Sequence, residues 1–372
     1  MAANGLRWCA NCVAMSTRPR ISFDERGWCN ACRWAEQKRR IDWDARERQL
    51  AELLGRHRSG GGAFDCIVPV SGGKDGSYVA HTLKHRHGMN PLAVTVNPPL
   101  PLELGQRNLR AFADSGFDLV AVSPHPEAMR QLNRIGLEEM GFPYYGWLIA
   151  IHTAVIRLAL SFKIGLLFYG EDGEVEYGGS TETAHEPVYG MDYQRRIYLE
   201  GGYEKVLERC EVPSSALHFF TFPAEEESGS PQLDITHWSY FENWDPYRNY
   251  LVAKEHCGLA ENEDSNAGTF TNFAQNDQAL YALHTYLMYL KFGFGRANQD
   301  AAIEIRRGAM DRAQAVNLVN LYDGQYPEQF IDQYLDYYRM TPDKFDAVLD
   351  RWANRDLFEK VDGHWRPRFR VV

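Results

Sequence analysis

The chain has 372 residues, 44% of them hydrophobic and 13% aromatic, which is apolar material enough for two or three packed domains and excludes a disordered chain. A formal net charge of −10 argues against a broad nucleic-acid surface, which needs excess Lys and Arg to displace counterions, so the basic runs Arg18-Pro19-Arg20 and Lys38-Arg39-Arg40 read as solvated faces or local phosphate contacts. No apolar run reaches the length of a membrane span: the longest, Trp147 to Phe162, is interrupted by His152, Thr153 and Arg157, and a soluble protein is expected.

Met1 to Trp8 contains no long apolar stretch, so no export signal is read there and a reducing cytoplasm is the expected compartment. Cys9-x-x-Cys12 and Cys29-x-x-Cys32 then follow at the spacing of a four-thiolate zinc site, each C-x-x-C aiming two sulfurs at one tetrahedral metal. Little apolar sequence lies between them to build a core, so a bound metal would supply the folding energy. An iron–sulfur cluster and a pair of disulfides are the competing accounts. With Cys9, Cys12, Cys29 and Cys32 as ligands the site is coordinatively closed, and its zinc is expected to be structural. A helix from Asp42, as N-cap, to Arg56 carries Trp43, Leu50, Leu53 and Leu54 at helical spacing, and Ser59-Gly60-Gly61-Gly62 reads as a linker. Residues 1–58 are therefore expected to form a zinc-binding module and helix.

From Phe64 short apolar runs alternate with helical ones. Strands are expected at Cys66–Val70, Leu92–Val96, Leu119–Val122 and Gly165–Tyr169, and helices at Ser77–His87, Gly105–Ser115, Glu127–Met140 and Leu148–Phe162. Strands spaced by single helices mean an α/β domain with a doubly wound parallel sheet, expected over residues 59–225. Directly behind the first strand stands Ser71-Gly72-Gly73-Lys74-Asp75. Two glycines let backbone N–H groups point at an anion without hindrance, and the following helix adds its positive end, so the segment reads as a nucleotide phosphate cradle. The spacing is not that of a Walker loop. A glycine-rich turn without chemistry is the bland alternative. Ligands of such sheets bind beyond the carboxyl ends of the strands, which gathers Ser71–Asp75, Asn97, Ser123 and Gly170-Glu171-Asp172 into one crevice. Asn97, before Pro98 and Pro99, is either a turn residue or, as the family resemblance given below implies, an adenine contact.

Residues 171–190 carry Glu171, Asp172, Glu174, Glu176, Glu182 and Glu186 with Gly178 and Gly179 and no regular period. Such a loop either holds the magnesium that accompanies ATP and orients polar groups, or is a solvated acidic surface. Residues 226–372 read as a mainly helical substrate or assembly region, with an aromatic and apolar helix at Asn276–Phe292 and later helices at Ala301–Arg307, Asp311–Leu321, Pro327–Tyr338 and Pro342–Ala353. The segment Tyr281 to Phe294 is either core or the face of a homo-oligomer. His81 and His85 share a helix face and read as a surface pair rather than a second metal site. Tyr144, Tyr145 and Trp147 are either packing aromatics or a platform for a sugar or base.

The S-G-G-x-D motif behind a first strand resembles the pyrophosphate loop (PP-loop) of the N-type ATP pyrophosphatases, whose HUP-like domains split ATP between the α and β phosphates and activate a carbonyl oxygen as its adenylate. The chain departs from S-G-G-x-D-S at Gly76, with a hydroxyl at Ser77 instead. Cys29-Asn30-Ala31-Cys32, Val70 to Tyr78, Gly170-Glu171, Glu176-Tyr177-Gly178-Gly179, Trp244-Asp245-Pro246, Lys291 to Arg296 and Glu304-Ile305-Arg306 together resemble the bacterial N-acetyl sugar amidotransferases of surface-polysaccharide and nonulosonic acid pathways, over nearly the whole chain.

That resemblance implies an N-terminal zinc ribbon, a PP-loop domain and conversion of a sugar acetamido group to acetamidino. ATP would adenylate the amide oxygen of an N-acetylated, nucleotide-linked sugar, and ammonia would displace AMP. The ammonia is expected from separate glutaminase and channel subunits resembling imidazole glycerol phosphate synthase, since no glutaminase domain is read in the chain. The residues implied for ATP are Ser71, Gly72, Gly73, Lys74, Asp75, Gly76, Ser77, Asn97 and Gly170. Lys74, Asp75, Glu171 and Glu176 are implied as catalytic: Lys74 neutralises the pyrophosphate, Asp75 holds magnesium or orients the loop, and Glu171 and Glu176 either bind metal or deprotonate ammonium. Tyr177, Gly178, Gly179, Asp245, Arg296 and Arg306 are implied for the sugar, although both arginines read equally well as salt-bridge partners and Asp245 as a turn residue. The rival reading is a PP-loop tRNA-thiolation enzyme, which needs a sulfur-carrying cysteine beyond the four of the N-terminal module. A catalytically dead ATP-binding scaffold would lack Lys74 or Asp75, and both are present.

Overall fold

A computed structural model of the chain describes residues 5–60, 64–224 and 233–371. Gly61 and Gly62 of the expected linker lie outside them. The first half contains helices α1 (Asn30–Lys38) and α2 (Trp43–His57), strand β1 (Cys66–Pro69), α3 (Lys74–His85), β2 (Pro91–Val96), α4 (Glu103–Asp114), β3 (Leu119–Val122), α5 (Pro126–Met140), α6 (Tyr145–Ser161) and β4 (Leu166–Tyr169). There follow α7 (Gly173–Tyr177), α8 (Met191–Tyr193), α9 (Tyr203–Glu208), β5 (Asp234–His237), α10 (Trp238–Phe241), α11 (Pro246–Cys257), α12 (Leu280–Phe292), α13 (Arg296–Arg307) and α14 (Arg312–Tyr322). The chain ends with α15 (Ile331–Tyr338), α16 (Pro342–Trp352) and the antiparallel pair β6 (Phe358–Val361) and β7 (His364–Pro367).

Five parallel strands form one sheet in the order β3-β2-β1-β4-β5. The α/β architecture with a parallel sheet is as expected from the alternation of apolar runs. Both faces are covered, and β1 shows how: Ile67 packs with Leu92, Val94, Leu167 and Ile235 under α5 and α6, while Cys66 and Val68 pack with Ala93, Leu166 and Phe168 under α3. All six residues of β2 are accordingly buried. Because chain direction reverses its lateral path between β1 and β4, the crevice of the sheet opens beyond the ends of those two strands.

Three features depart from the expected elements. β5 pairs with β4 from Leu166↔Asp234 to Tyr169↔His237, so the sheet runs past residue 225. At four residues with three polar members, β5 is too short to stand out from its surroundings by period. The helix expected from Pro327 starts as a single 3₁₀ turn at Glu328–Phe330, with α15 only from Ile331. The β6–β7 hairpin closes a region read as mainly helical, with no strand expected there. Asp42 caps α2 as expected, accepting from the Ala45 N–H at 2.9 Å.

The C-terminal helices share the core of the sheet. Leu280, Leu283, Leu287 and Leu290 of α12 are fully buried in the same cluster as α5, α6 and the α16 residues Phe345, Val348 and Leu349, which makes that face of α12 core. The N-terminal residues are covered by the C-terminal ones in turn: Cys9, Cys12, Val13, Cys29 and Cys32 pack with Ala301 and Ala302 of α13 and Ala315 and Val319 of α14. Among the described residues no helix is long and apolar enough to cross a membrane.

Candidate active site and metal centre

The glycine loop lies between β1 and α3, and α3 begins at Lys74, a turn earlier than expected. The first N–H groups of α3 therefore belong to the loop itself, and a helix start carries donors without intrahelical partners. Gly72 has φ +78°, and a Cβ there would run into the backbone of Asn108 and Leu109 on α4, so only glycine can line this wall. At Gly76 a Cβ would lie 2.6 Å from the Pro69 carbonyl oxygen. Glycine at 76 thus has a steric cause, since the first turn of α3 sits directly on the end of β1. Ser77 is 1% exposed, its hydroxyl has no hydrogen-bond partner among the described residues, and it is not part of the cavity lining.

The loop opens into a cavity of about 680 Å³, a size suited to a small-molecule site. Of the expected residues, Ser71 to Gly76, Asn97, Glu171 and Arg296 line it together. Lys74 forms an ion pair with Asp75. Burial opposes its charge, but Asp75 and Glu171 outweigh burial and hold the ammonium above its ordinary pKa. Glu171 is raised above the usual carboxylate range, first by burial and then by the Asp75 charge, with Lys74 opposing. Tyr177 donates to Glu171 Oε1 at 2.9 Å and Asn249 Nδ2 to Asp75 Oδ1 at 3.3 Å, which fixes both carboxylates. Arg296 keeps its charge against burial through Asp300, to which its Nε donates at 2.8 Å. Asn97 Nδ2 donates to Ser123 Oγ at 2.8 Å at the ends of β2 and β3.

The remaining expected residues stand elsewhere. Gly170 is packed behind the loop, where a Cβ would meet Asp75 Cβ and the Trp244 ring at 3.2 Å. Glu176 points away from the cavity and accepts from Trp34 Nε1 at 2.9 Å and from Lys38 at 2.7 Å, a buried pair that ties α7 to α1. Gly178 has φ +91° and abuts Ala31, and the Gly179 carbonyl accepts from Asn30 Nδ2 at 2.9 Å. Asp245 caps α11 through the Tyr247 and Arg248 N–H groups and receives Arg307 at 3.0 Å. Arg306 reaches Cys12 Sγ at 3.9 Å and the Glu176 carbonyl at 3.3 Å. The signature around 176–179 and 306 therefore joins the N-terminal module to the rest of the fold, while Asp245 joins α11 to α13.

That module holds Cys9, Cys12, Cys29 and Cys32 with their sulfurs all within 4.8 Å of one another. The Cys9–Cys32 and Cys12–Cys29 sulfurs are 3.7 and 3.8 Å apart, matching the roughly 3.8 Å edge of a tetrahedron with Zn–S bonds of about 2.3 Å. All seven cysteines are free thiols, so the disulfide account falls. N–H groups of Cys12, Ala14 and Cys29 and the Asn11 amide donate to the sulfurs. Thiolates accepting such donors, with an arginine beside them, fit a zinc ion better than four neutral thiols.

Residues 267–370 match the model of the C-terminal domain of WbpG-like lipopolysaccharide biosynthesis proteins. No curated protein matches the chain. The WbpG-like segment begins just before the residues that close the cavity on the side facing the glycine loop: Phe273, Ala274, Gln275, Asn276, Asp277 and Tyr281, followed by Arg296. Apart from Arg296, these were missed by sequence reasoning, as were Gln106 and Asn108. Residues 276–279 read as the start of a helix but lie outside it, with an antiparallel bridge between Pro101 and Gln278 and α12 beginning only at Leu280. The polar run Gln275-Asn276-Asp277-Gln278 ahead of an apolar helix is the signal that would have found them. Of the three aromatics weighed as a platform, Tyr144 and Trp147 line the cavity, whereas Tyr145 donates to the Leu199 carbonyl at 2.6 Å and is packing.

Proposed function

We propose that the chain is an ATP-dependent, AMP-forming amidotransferase that converts the acetamido group of an N-acetylated, nucleotide-linked sugar to acetamidino in lipopolysaccharide or nonulosonic acid biosynthesis. The observation that carries this reading is a single cavity. Its one wall is a glycine loop with Lys74 at a helix start, and its other wall belongs to the segment that resembles WbpG-like lipopolysaccharide biosynthesis proteins.

In this reading the ATP phosphates lie on the N–H groups of Gly72 to Asp75. The amide oxygen attacks the α-phosphorus, the new O–P bond forms as the α–β bridge breaks, and pyrophosphate leaves. Lys74 and the helix start are preorganised for the charge that gathers on the departing group, so they stabilise the transition state without reorganising. Asp75 and Glu171 offer the adjoining oxygen donors that suit magnesium, which would neutralise phosphate charge there. Arg296 orients an anionic part of the sugar nucleotide. Ammonia, supplied by a separate glutaminase and its channel subunit, then attacks the imidate carbon and AMP leaves.

The thiolation reading is disfavoured by the thiols. Among the described residues no cysteine lines the cavity, and burial raises the pKa of Cys66 and, to about 11, that of Cys257.

The test is to supply pure protein with magnesium, ATP, ammonium and a panel of nucleotide-linked N-acetyl sugars, following AMP and sugar mass together. AMP formed with one sugar only, and that sugar exchanging O for NH, is the expected result. ADP as product, or AMP formed only with tRNA and sulfide, contradicts it.

A further inference from the structure

We propose that Asp277 is the general base of the nitrogen-transfer step, taking one proton from the nitrogen that attacks the activated carbonyl carbon. This rests on the amide-adenylation reading above and gives the WbpG-like wall of the cavity a chemical task.

Asp277 is held in place by its backbone. Its carbonyl accepts from the Leu102 N–H at 3.0 Å, and the Ala279 N–H donates to the Leu100 carbonyl at 2.9 Å, so the segment is pinned to the loop after β2. Gly105 of α4 makes the approach possible: a Cβ there would lie 2.7 Å from the Asn276 carbonyl oxygen. The carboxyl group is left uncommitted. Glu176 is neutralised by Lys38 and Asp245 by Arg307, whereas among the described residues the Asp277 carboxylate accepts only a long side-chain hydrogen bond, from the Tyr281 hydroxyl at 3.5 Å.

Its surroundings suit proton transfer. The rings of Tyr144 and Tyr281 lie 5.3 Å apart and those of Trp147 and Tyr281 6.2 Å apart, making an aromatic wall beside it. Burial pushes the carboxyl up to about 7, with the Tyr281 hydroxyl opposing, which matches a base working near neutrality. The titratable groups that share this end are Tyr281 on α12, Tyr144 at the start of α6 and Arg296 on α13; Lys74, Asp75 and Glu171 occupy the phosphate end. Glu171 is a poorer base because it is engaged with Lys74 and Tyr177.

A base is required by the balance of the step. Ammonia forms a C–N bond to the imidate carbon, and the adduct carries a positive ammonium that would simply leave again. Transfer of one N–H proton to the Asp277 carboxylate removes that route. The C–O bond to AMP then breaks, its electron pair leaves with the phosphate oxygen, and the amidinium product keeps the remaining positive charge.

The experiment compares wild type and Asp277→Asn with magnesium, ATP and the accepted sugar, reading ATP–pyrophosphate exchange without ammonium and amidine formation with it, across pH 5.5–9. Asp277→Asn should keep exchange within about threefold and lose roughly 10² to 10⁴ in amidine formation, the usual contribution of a positioned base. Wild type should lose amidine formation as pH falls through about 7, because the carboxylate is the active form. Tyr281→Phe, which removes a donor that stabilises the carboxylate, should move that limb to higher pH. Unchanged amidine formation in Asp277→Asn, or an equal fall in exchange, overturns the assignment of Asp277 alone. No exchange in wild type with any N-acetyl sugar overturns the adenylation reading, and this proposal with it.

Discussion

The glycine loop and the four-cysteine module both concentrate charge, and they treat it in opposite ways. Around the cysteines donors are turned onto sulfur within the fold: backbone N–H groups and Asn11 donate to sulfur, Arg306 lies against Cys12, and nearby Lys38 is paired with Glu176. All four cysteines are within 1% of complete burial under α13 and α14. At the loop, the start of α3 opens into a cavity, and Lys74 stands between two carboxylates whose arrangement an incoming magnesium–nucleotide would rearrange. A site built for stability satisfies its groups within the fold, and a site built for turnover leaves them for the ligand. In the proposed reading, the difference between the two regions is the difference between a folding role and a chemical one.

The sharpest way to break this comparison is to remove a cysteine. Cys29→Ser should abolish accumulation of folded, zinc-containing protein, since a structural zinc site contributes on the order of 10 kcal/mol or more of folding free energy; metal analysis giving one zinc per wild-type chain and none in the variant checks it. Folded, metal-free wild type would end the structural-zinc account. Lys74→Ala should leave the thermal unfolding temperature within a few degrees and lower AMP formation about 10² to 10³-fold, the cost of deleting one preorganised charge. Glu176→Ala, by contrast, leaves Lys38 and Trp34 Nε1 buried without a partner and should destabilise by about 3 kcal/mol in denaturant unfolding, while kcat of the folded fraction stays within about twofold. A large loss of kcat at unchanged stability would return Glu176 to the catalytic set. Asn97→Ala should be the mildest, raising KM for ATP by less than tenfold, as expected for one hydrogen bond at the cavity edge.

The two regions also differ in how legible they were. The cysteine spacing translates directly into geometry, because two C-x-x-C knuckles have few ways to share a metal. The loop was legible because a buried strand, paired glycines and a helix follow one another in sequence. What was not legible is what converges from afar. Glu176, Asp245 and Arg306 carry the same residue types as a binding site, and only partners far away in sequence show otherwise: Lys38 and Cys12 assign Glu176 and Arg306 to holding the module in place, and Arg307 assigns Asp245 to joining α11 to α13. Asp277 was hidden for the reverse reason: it sits next to a long apolar helix, and its place is set by backbone bonds to Leu100 and Leu102 that no local pattern encodes. β5 was lost because four residues in a tertiary ladder need no period of their own.

The most direct test of the central claim is isotopic. An N-acetylated, nucleotide-linked sugar carrying ¹⁸O in its acetamido carbonyl is turned over with ATP, magnesium and ammonium, and the products are weighed. Adenylation of the amide oxygen predicts that the label appears in the phosphate of AMP as the sugar becomes an acetamidine. Label remaining in the sugar, or passing to water or to inorganic phosphate, would contradict it.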